Sequence, residues 1–204
     1  MPQQKPDRRI SKTKKAIVAA FTELIEDMGF EALTVRDITE KADINRSTFY
    51  LHYRDKYDLL EKCEEEIYAR MELATSQVKA MTSNELKEFF SGNEPFPFIA
   101  NLIGYFQQNA YFMKTMLGPK GDPSFQMKIK EIIAKNITEN VLSKTSKGES
   151  PVPTDIFIAY MSSALLGVIQ NWLNAGMKQT PRELASILFQ MMVQGPVTAM
   201  GLRK

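Results

Sequence analysis

Apolar residues recur at every third or fourth position along most of this chain, and no sustained alternation of period two interrupts them. A helix gathers such positions onto one face, whereas a strand needs the shorter period. The longest run is Leu60, Cys63, Ile67, Met71, Ala74 and Val78. That pattern restricts the fold to helices packed on helices, an all-α class. The 204 residues suffice for one ordinary domain, or for two small ones sharing a core.

Start and stop signals divide the chain. Ser11–Met28 reads as a first helix, with Ile17, Phe21, Leu24, Ile25 and Met28 on one face and Gly29 ending it. Thr34 caps a helix to about Ala42 with Asp37 at its third position. Asn45 caps a short one to about Leu51, and Asp55 a long one. Thr82–Glu85 is a capping-box pattern opening a short helix that Gly92 closes, and Pro95–Phe98 is a stiff entry into a helix to about Gln107. Tyr111–Leu117 is a further short helix. Asp122-Pro123 opens a helix with Phe125, Ile129, Ile132, Ile133, Ile137 and Val141 inward. Thr154 starts another that Gly176 ends, and Thr180–Glu183 opens a last one to about Val197.

Composition removes several functions. Cys63 and His52 are the single cysteine and the single histidine, so an intrachain disulfide, a multi-cysteine metal site and paired histidines are excluded. There is no Gly-rich phosphate loop, nucleophile–base pairing or metal-ligand cluster. The expectation is therefore no catalytic residue, no metal and no cofactor. A helical enzyme or carrier using a Phe/Met cavity is the competing reading. No export signal is legible, which suggests a cytoplasmic protein with a reduced thiol. Ile156–Met177 carries no charge and is long enough to cross a bilayer. Ser162, Ser163, Gln170, Asn171 and Asn174 interrupt it and no basic cluster flanks it, so the reading is a helix buried on several sides at an oligomer interface, without a membrane.

Charge is unevenly placed. Lys5, Arg8, Arg9, Lys12, Lys14 and Lys15 face only Asp7 within residues 1–15, although the whole chain carries a net charge of +2. A basic arm on a near-neutral body suits a polyanion. Downstream, Val35–Ala42 and Arg46–Leu51 are separated by Asp43-Ile44-Asn45, the spacing of a helix-turn-helix. Asp43 stands where a left-handed residue is often needed, and Asp tolerates that conformation better than most. Ile38 and Ile44 are placed to pack the pair together. The second helix then exposes Arg46, Ser47, Thr48 and Tyr50, side chains that suit base edges and phosphates.

The stretch Leu33–Leu60 resembles the TetR family of bacterial transcription regulators. Thr34, Ile38, Ala42, Thr48-Phe49-Tyr50, His52-Tyr53, Lys56 and Leu59-Leu60 stand in family order and spacing, and Asp43 departs from the usual Gly. The resemblance covers about residues 10–60. It implies an N-terminal arm and helix-turn-helix DNA-binding domain over 1–54, and a helical ligand-binding and dimerisation domain over 55–204. It also implies DNA contacts at Thr34, Arg36, Arg46, Ser47, Thr48, Tyr50, His52 and Lys56. Thr34 would hold a phosphate at a helix start, and Lys56 another. Phe49 and Tyr53 are expected to pack inward.

The resemblance further implies a small-molecule pocket among the central helices, and Phe89, Phe96, Tyr105, Phe106, Phe112, Met113, Met116 and Phe125 are its candidate lining. The last two long helices look like the family's dimerising pair, with Ala159, Ser163, Leu166, Trp172, Leu184, Leu188 and Met191 as the candidate interface. The function implied is a homodimeric repressor on a pseudo-palindromic double-stranded operator, released by an unidentified small apolar or aromatic effector. The alternative is a constitutive or architectural helix-turn-helix protein with no effector.

Overall fold

A computed structural model describes residues 8–92, 95, 97–144 and 152–202, and every regular element among them is helical. Helix α1 (Arg8–Met28) begins three residues earlier than its sequence signals suggest. It buries Ile17, Phe21, Leu24 and Ile25, but Met28 at its end is exposed, and Gly29 turns the chain at φ 83°. Helix α2 (Val35–Lys41) opens on the expected capping box: Asp37 N–H donates to the Thr34 hydroxyl, and the Thr34 amide donates to the Asp37 carboxylate.

The turn into α3 (Arg46–Tyr50) has a definite hydrogen-bond pattern. The Ile44 amide donates to the Thr39 carbonyl at 3.1 Å, and the Asp43 amide to the Glu40 carbonyl at 3.3 Å. This paired closure of a helix C-terminus requires a left-handed residue between the two, and Asp43 supplies it at φ 52°. Ile44 then folds back onto the apolar cluster that contains Ile38 and Phe49.

Helix α4 (Lys56–Ala80) follows, its first amides capped by the Asp55 carboxylate. Leu59, Leu60, Ile67, Met71, Ala74 and Val78 are buried along it, and Cys63 is half-buried. The remaining helices come after it in the chain. They are α5 (Ser83–Ser91), α6 (Pro97–Gln108), α7 (Ala110–Met116) and α8 (Pro123–Asn136), then α9 (Thr154–Asn174), α10 (Pro181–Gln194) and the short α11 (Pro196–Ala199). α8 runs on into a π-helical turn (Ile137–Val141) and a 3-10 turn (Leu142–Lys144). α4 packs on α6 and α8, α9 on α7 and α8, and α10 on α6. One apolar cluster runs from Ile17 in α1 to Leu184 and Ala185 in α10.

Two expectations need correction. The last long helix stops at Gln194 rather than Val197, because Gly195 adopts φ 77° and Pro196 begins a new turn. Proline disfavours helical geometry in the residue before it. Second, not every residue expected at the interface is exposed: within this chain α9 is buried along one face. Met161, Ser162, Leu166, Ile169, Trp172 and Leu173 face inward, while Ile156, Ala159, Tyr160, Ser163, Ala164 and Gly167 are exposed. Leu166, Trp172 and Leu184 are therefore core residues and unavailable to a partner, in contrast to the interface expected of them. The Trp172 indole N–H donates to the Gln179 carbonyl at 2.9 Å, closing the corner between α9 and α10.

The left-handed Asp43 sets a stability test. Asp43→Gly is expected to hold or raise the urea-unfolding free energy, by up to about 1 kcal/mol, and Asp43→Val to lower it by about 1–2 kcal/mol.

Candidate nucleic-acid interface and internal cavity

Phe49 organises the surface of α3. Its ring is fully buried, edge-on to Tyr50 and tilted against Tyr53, each at 5.6 Å between centroids. With Phe49 inward, helical geometry turns Arg46, Ser47 and Tyr50 outward, and all three are exposed. Thr48 and His52 are half-buried at the margins. Leu51, not singled out in the sequence, is 80% exposed beside them. A leucine that breaks the register of Ile38, Phe49 and Leu59 was the available signal. Apolar side chains at such positions suit thymine methyl groups. Lys12, Lys14 and Lys15 are exposed near the start of α1, which has no acidic residue in its first turn.

Three expected contacts look different in place. Thr34 gives its hydroxyl hydrogen to Asp37 at 2.7 Å and its amide to the same carboxylate at 2.8 Å. Those bonds hold the Asp37 carboxyl below its ordinary range. A carboxylate from the same helix thus sits where a phosphate was expected. Arg36 donates through Nε to Glu40 at 2.7 Å, yet its side chain is largely exposed and the ends of its guanidinium stay accessible.

Lys56 is the clearest correction. Its ammonium donates to the carbonyls of Phe30, Glu31 and Leu33 at 3.1, 2.9 and 3.1 Å, over the rings of Phe30 and Tyr57. An ammonium has three hydrogens, so none is left for a phosphate. Lys56 ties the start of α4 to the loop between α1 and α2.

The loop from α3 into α4 is fixed electrostatically. Buried Asp58 accepts the Arg54 amide at 2.9 Å, the Arg54 guanidinium at 3.0 and 3.1 Å, and Lys62 at 2.9 Å. The Arg54 amide, then Lys62, hold its carboxyl down at about 2. Lys62 also donates to the His52 carbonyl at 2.9 Å. The end of the helix-turn-helix is thereby bound to α4.

At the other end of α4 lies a cavity of about 220 Å³, walled by α4, α5, α6, α7, α8 with its π turn, α9 and α10. Of the expected lining, Phe89, Phe106 and Met113 border it. Phe112, Met116 and Phe125 are buried in packing away from it, and Tyr105 lies beneath the Arg70 guanidinium at 5.1 Å. Phe96 lies outside the described residues. The walls the sequence did not single out are mainly aliphatic, such as Ile103, Ile133, Ile137 and Met161, together with Phe189, whose ring is 4.8 Å from that of Phe89. Ile and Leu are the commonest residues of the wall, ahead of Phe and Met. Among the described residues no charged side chain borders the cavity.

Residues 17–63 match the family model of bacterial regulatory proteins, tetR family, and residues 93–194, half of the chain, match a transcriptional regulator C-terminal region of the TetR type. An uncharacterized HTH-type transcriptional regulator of Bacillus subtilis (strain 168), YxbF, is 41% identical over 56 residues, which are 27% of this chain and only 15% of that protein. A TetR transcriptional regulator from Streptococcus agalactiae 2603V is 25% identical over 92% of this chain and 96% of its own, with a TM-score of 0.55. The Bacillus subtilis regulator FadR, whose structure holds stearoyl-CoA, shares the fold at 18% identity and a TM-score of 0.57, over 89% of this chain and 98% of its own.

Lys56→Met keeps the aliphatic stem and removes the three donated bonds. It is expected to lower unfolding stability by about 1–3 kcal/mol, measured by thermal and urea denaturation.

Proposed function

The chain belongs to the TetR family of bacterial transcription regulators, and from that premise we propose that it works in the cytoplasm as a homodimeric repressor, released from its operator by a small apolar molecule. Residues 1–54 form the DNA-reading unit and 55–204 the sensing and dimerising one. The observation that carries this reading is the burial of Phe49, which leaves Arg46, Ser47, Thr48 and Tyr50 as the outer edge of a short helix. Arg46 reads a base edge, bidentate to guanine where the operator offers one, and Ser47, Thr48 and Tyr50 contact neighbouring bases and phosphates. His52 and Arg36 reach phosphates from either side, and the lysines of α1 add charge along the backbone.

One α3 covers few base pairs, so two copies are needed. The exposed stripe Ile156, Tyr160, Ser163 and Gly167 on α9, with Ala159 beside it, supports a self-associating face. Ile187 and half-buried Leu188 and Met191 on α10 extend it. Two such faces make a four-helix interface, and the two α3 helices then sit roughly 34–36 Å apart, or a multiple of that spacing, on a pseudo-palindromic duplex. The effector occupies the cavity. Met71, Thr75 and Val78 of α4 border it, and Leu59 and Leu60 at the other end of α4 join the cluster beneath α3. A ligand that prefers a different tilt of α4 favours a dimer whose α3 helices no longer match two grooves.

Selection of bound fragments from genomic DNA identifies the operator. Failure to enrich any pseudo-palindrome overturns the reading. On that operator Arg46→Ala is expected to cut specific affinity by about tenfold or more, corresponding to about 1–3 kcal/mol, while leaving random-sequence affinity within about twofold. Equal losses on both would remove Arg46 from base reading. A Cβ at Gly167 meets open space. Gly167→Glu is accordingly expected to keep the thermal midpoint of the fold and yield monomers in sedimentation, with operator binding lost.

A further inference from the structure

The cavity is nearly featureless chemically, which makes its one exception informative. Among the described residues two polar side chains border it, Thr75 and Asn136. The Thr75 hydroxyl is satisfied, donating to the Glu72 carbonyl at 3.0 Å. The Asn136 side-chain amide nitrogen is buried and has no hydrogen-bond partner. Buried donors are paired in the great majority of cases, so an unpaired one on a residue that borders a cavity calls for an acceptor. Its position strengthens the point. Asn136 is the last residue of α8, immediately before the π-helical turn Ile137–Val141, and both Ile137 and Val141 border the same cavity. Such widened turns are rare and frequently lie at functional sites.

The rest of the wall decides what kind of acceptor fits. No Lys, Arg or His borders the cavity among the described residues. A carboxylate or phosphate buried there would meet no countercharge, and one neutral amide does not offset the lost hydration. A neutral carbonyl needs no more than one or two N–H donors. A body free of polar groups suits the surrounding Ile, Leu, Met and Phe side chains.

We propose that Asn136 is the specificity-determining residue of the cavity, and that it reads the carbonyl of an uncharged, aliphatic ester or ketone. This deepens the effector reading above and rests on it for its regulatory meaning. Binding itself stands apart from DNA release. The Asn136 amide donates to the carbonyl oxygen, and the alkyl chain extends along Met71, Ile103, Ile133 and Phe189. A free fatty acid is discriminated against because its charge would be stranded.

The test uses the full-length protein with three probes of equal chain length: methyl octanoate, octanoate at pH 8, and octane. Thermal shifts at matched free concentrations give relative affinities. Wild type is expected to favour methyl octanoate over both others by at least tenfold. Asn136→Leu, which fills the site without a donor, should bind octane at least as well as wild type does and lose the ester preference. Octanoate binding as tightly as the ester, or an undiminished ester preference in Asn136→Leu, would overturn the proposal. So would the absence of binding by all three probes, which would also remove the cavity as a site. If the ester binds with the expected preference but leaves operator affinity unchanged, the effector reading fails while the assignment of Asn136 stands.

Discussion

The structure depends on one continuous stripe of buried side chains along α4. Leu59 and Leu60 pack beneath the helix-turn-helix, Ile67 and Met71 join the large cluster, and Ala74 and Val78 close on Leu86 and Phe98 at the far end. Neither half of the chain owns its core, because the same helix contributes to both. Burial of this length contributes far more than any single polar contact on the surface. It also fixes where the unusual features can occur, since the faces that α4 does not use are left to carry chemistry.

Two lysines finish what the stripe begins. Lys56 gives all three ammonium hydrogens to carbonyls between α1 and α2, and Lys144 does the same for Val78, Lys79 and Met81 at the end of α4. Lys56 binds carbonyls in the turn between α1 and α2, and Lys144 binds the last carbonyls of α4 and that of its C-cap, Met81. The same residue type therefore serves backbone geometry at both ends of α4, and on α1, through Lys12, Lys14 and Lys15, faces outward with no such duty.

Much of the architecture was legible from local rules. The caps at Thr34, Asp55, Thr82, Asp122 and Thr180 form, because a short side chain reaching its own helix start needs no distant partner, whereas Asn45, expected to cap α3, makes no side-chain cap bond. Asp43 adopts the left-handed turn for the same local reason. What sequence could not give was which side of an apolar helix faces inward. α9 is apolar around most of its circumference, so its pattern did not separate Leu166 and Trp172, which are core, from Ser163 and Gly167, which are exposed. Nor did it reveal that the Lys56 ammonium reaches carbonyls more than twenty residues away. The cavity illustrates the same limit. Its lining is assembled from seven helices, and size and aromaticity selected Phe112, Met116 and Phe125, which tertiary packing places elsewhere.

The chain has a single tryptophan, and the fold puts it in an informative place. Trp172 is 2% exposed, on the inner face of the helix whose outer face is bare, with its indole N–H held by the Gln179 carbonyl. Its neighbour Ile169 borders the cavity. Intrinsic fluorescence from this protein is thus the emission of one apolar corner, free of averaging over tryptophan sites. Any rearrangement that admits water between α9 and α10 shifts that emission to longer wavelength, so the molecule carries its own optical gauge of that corner.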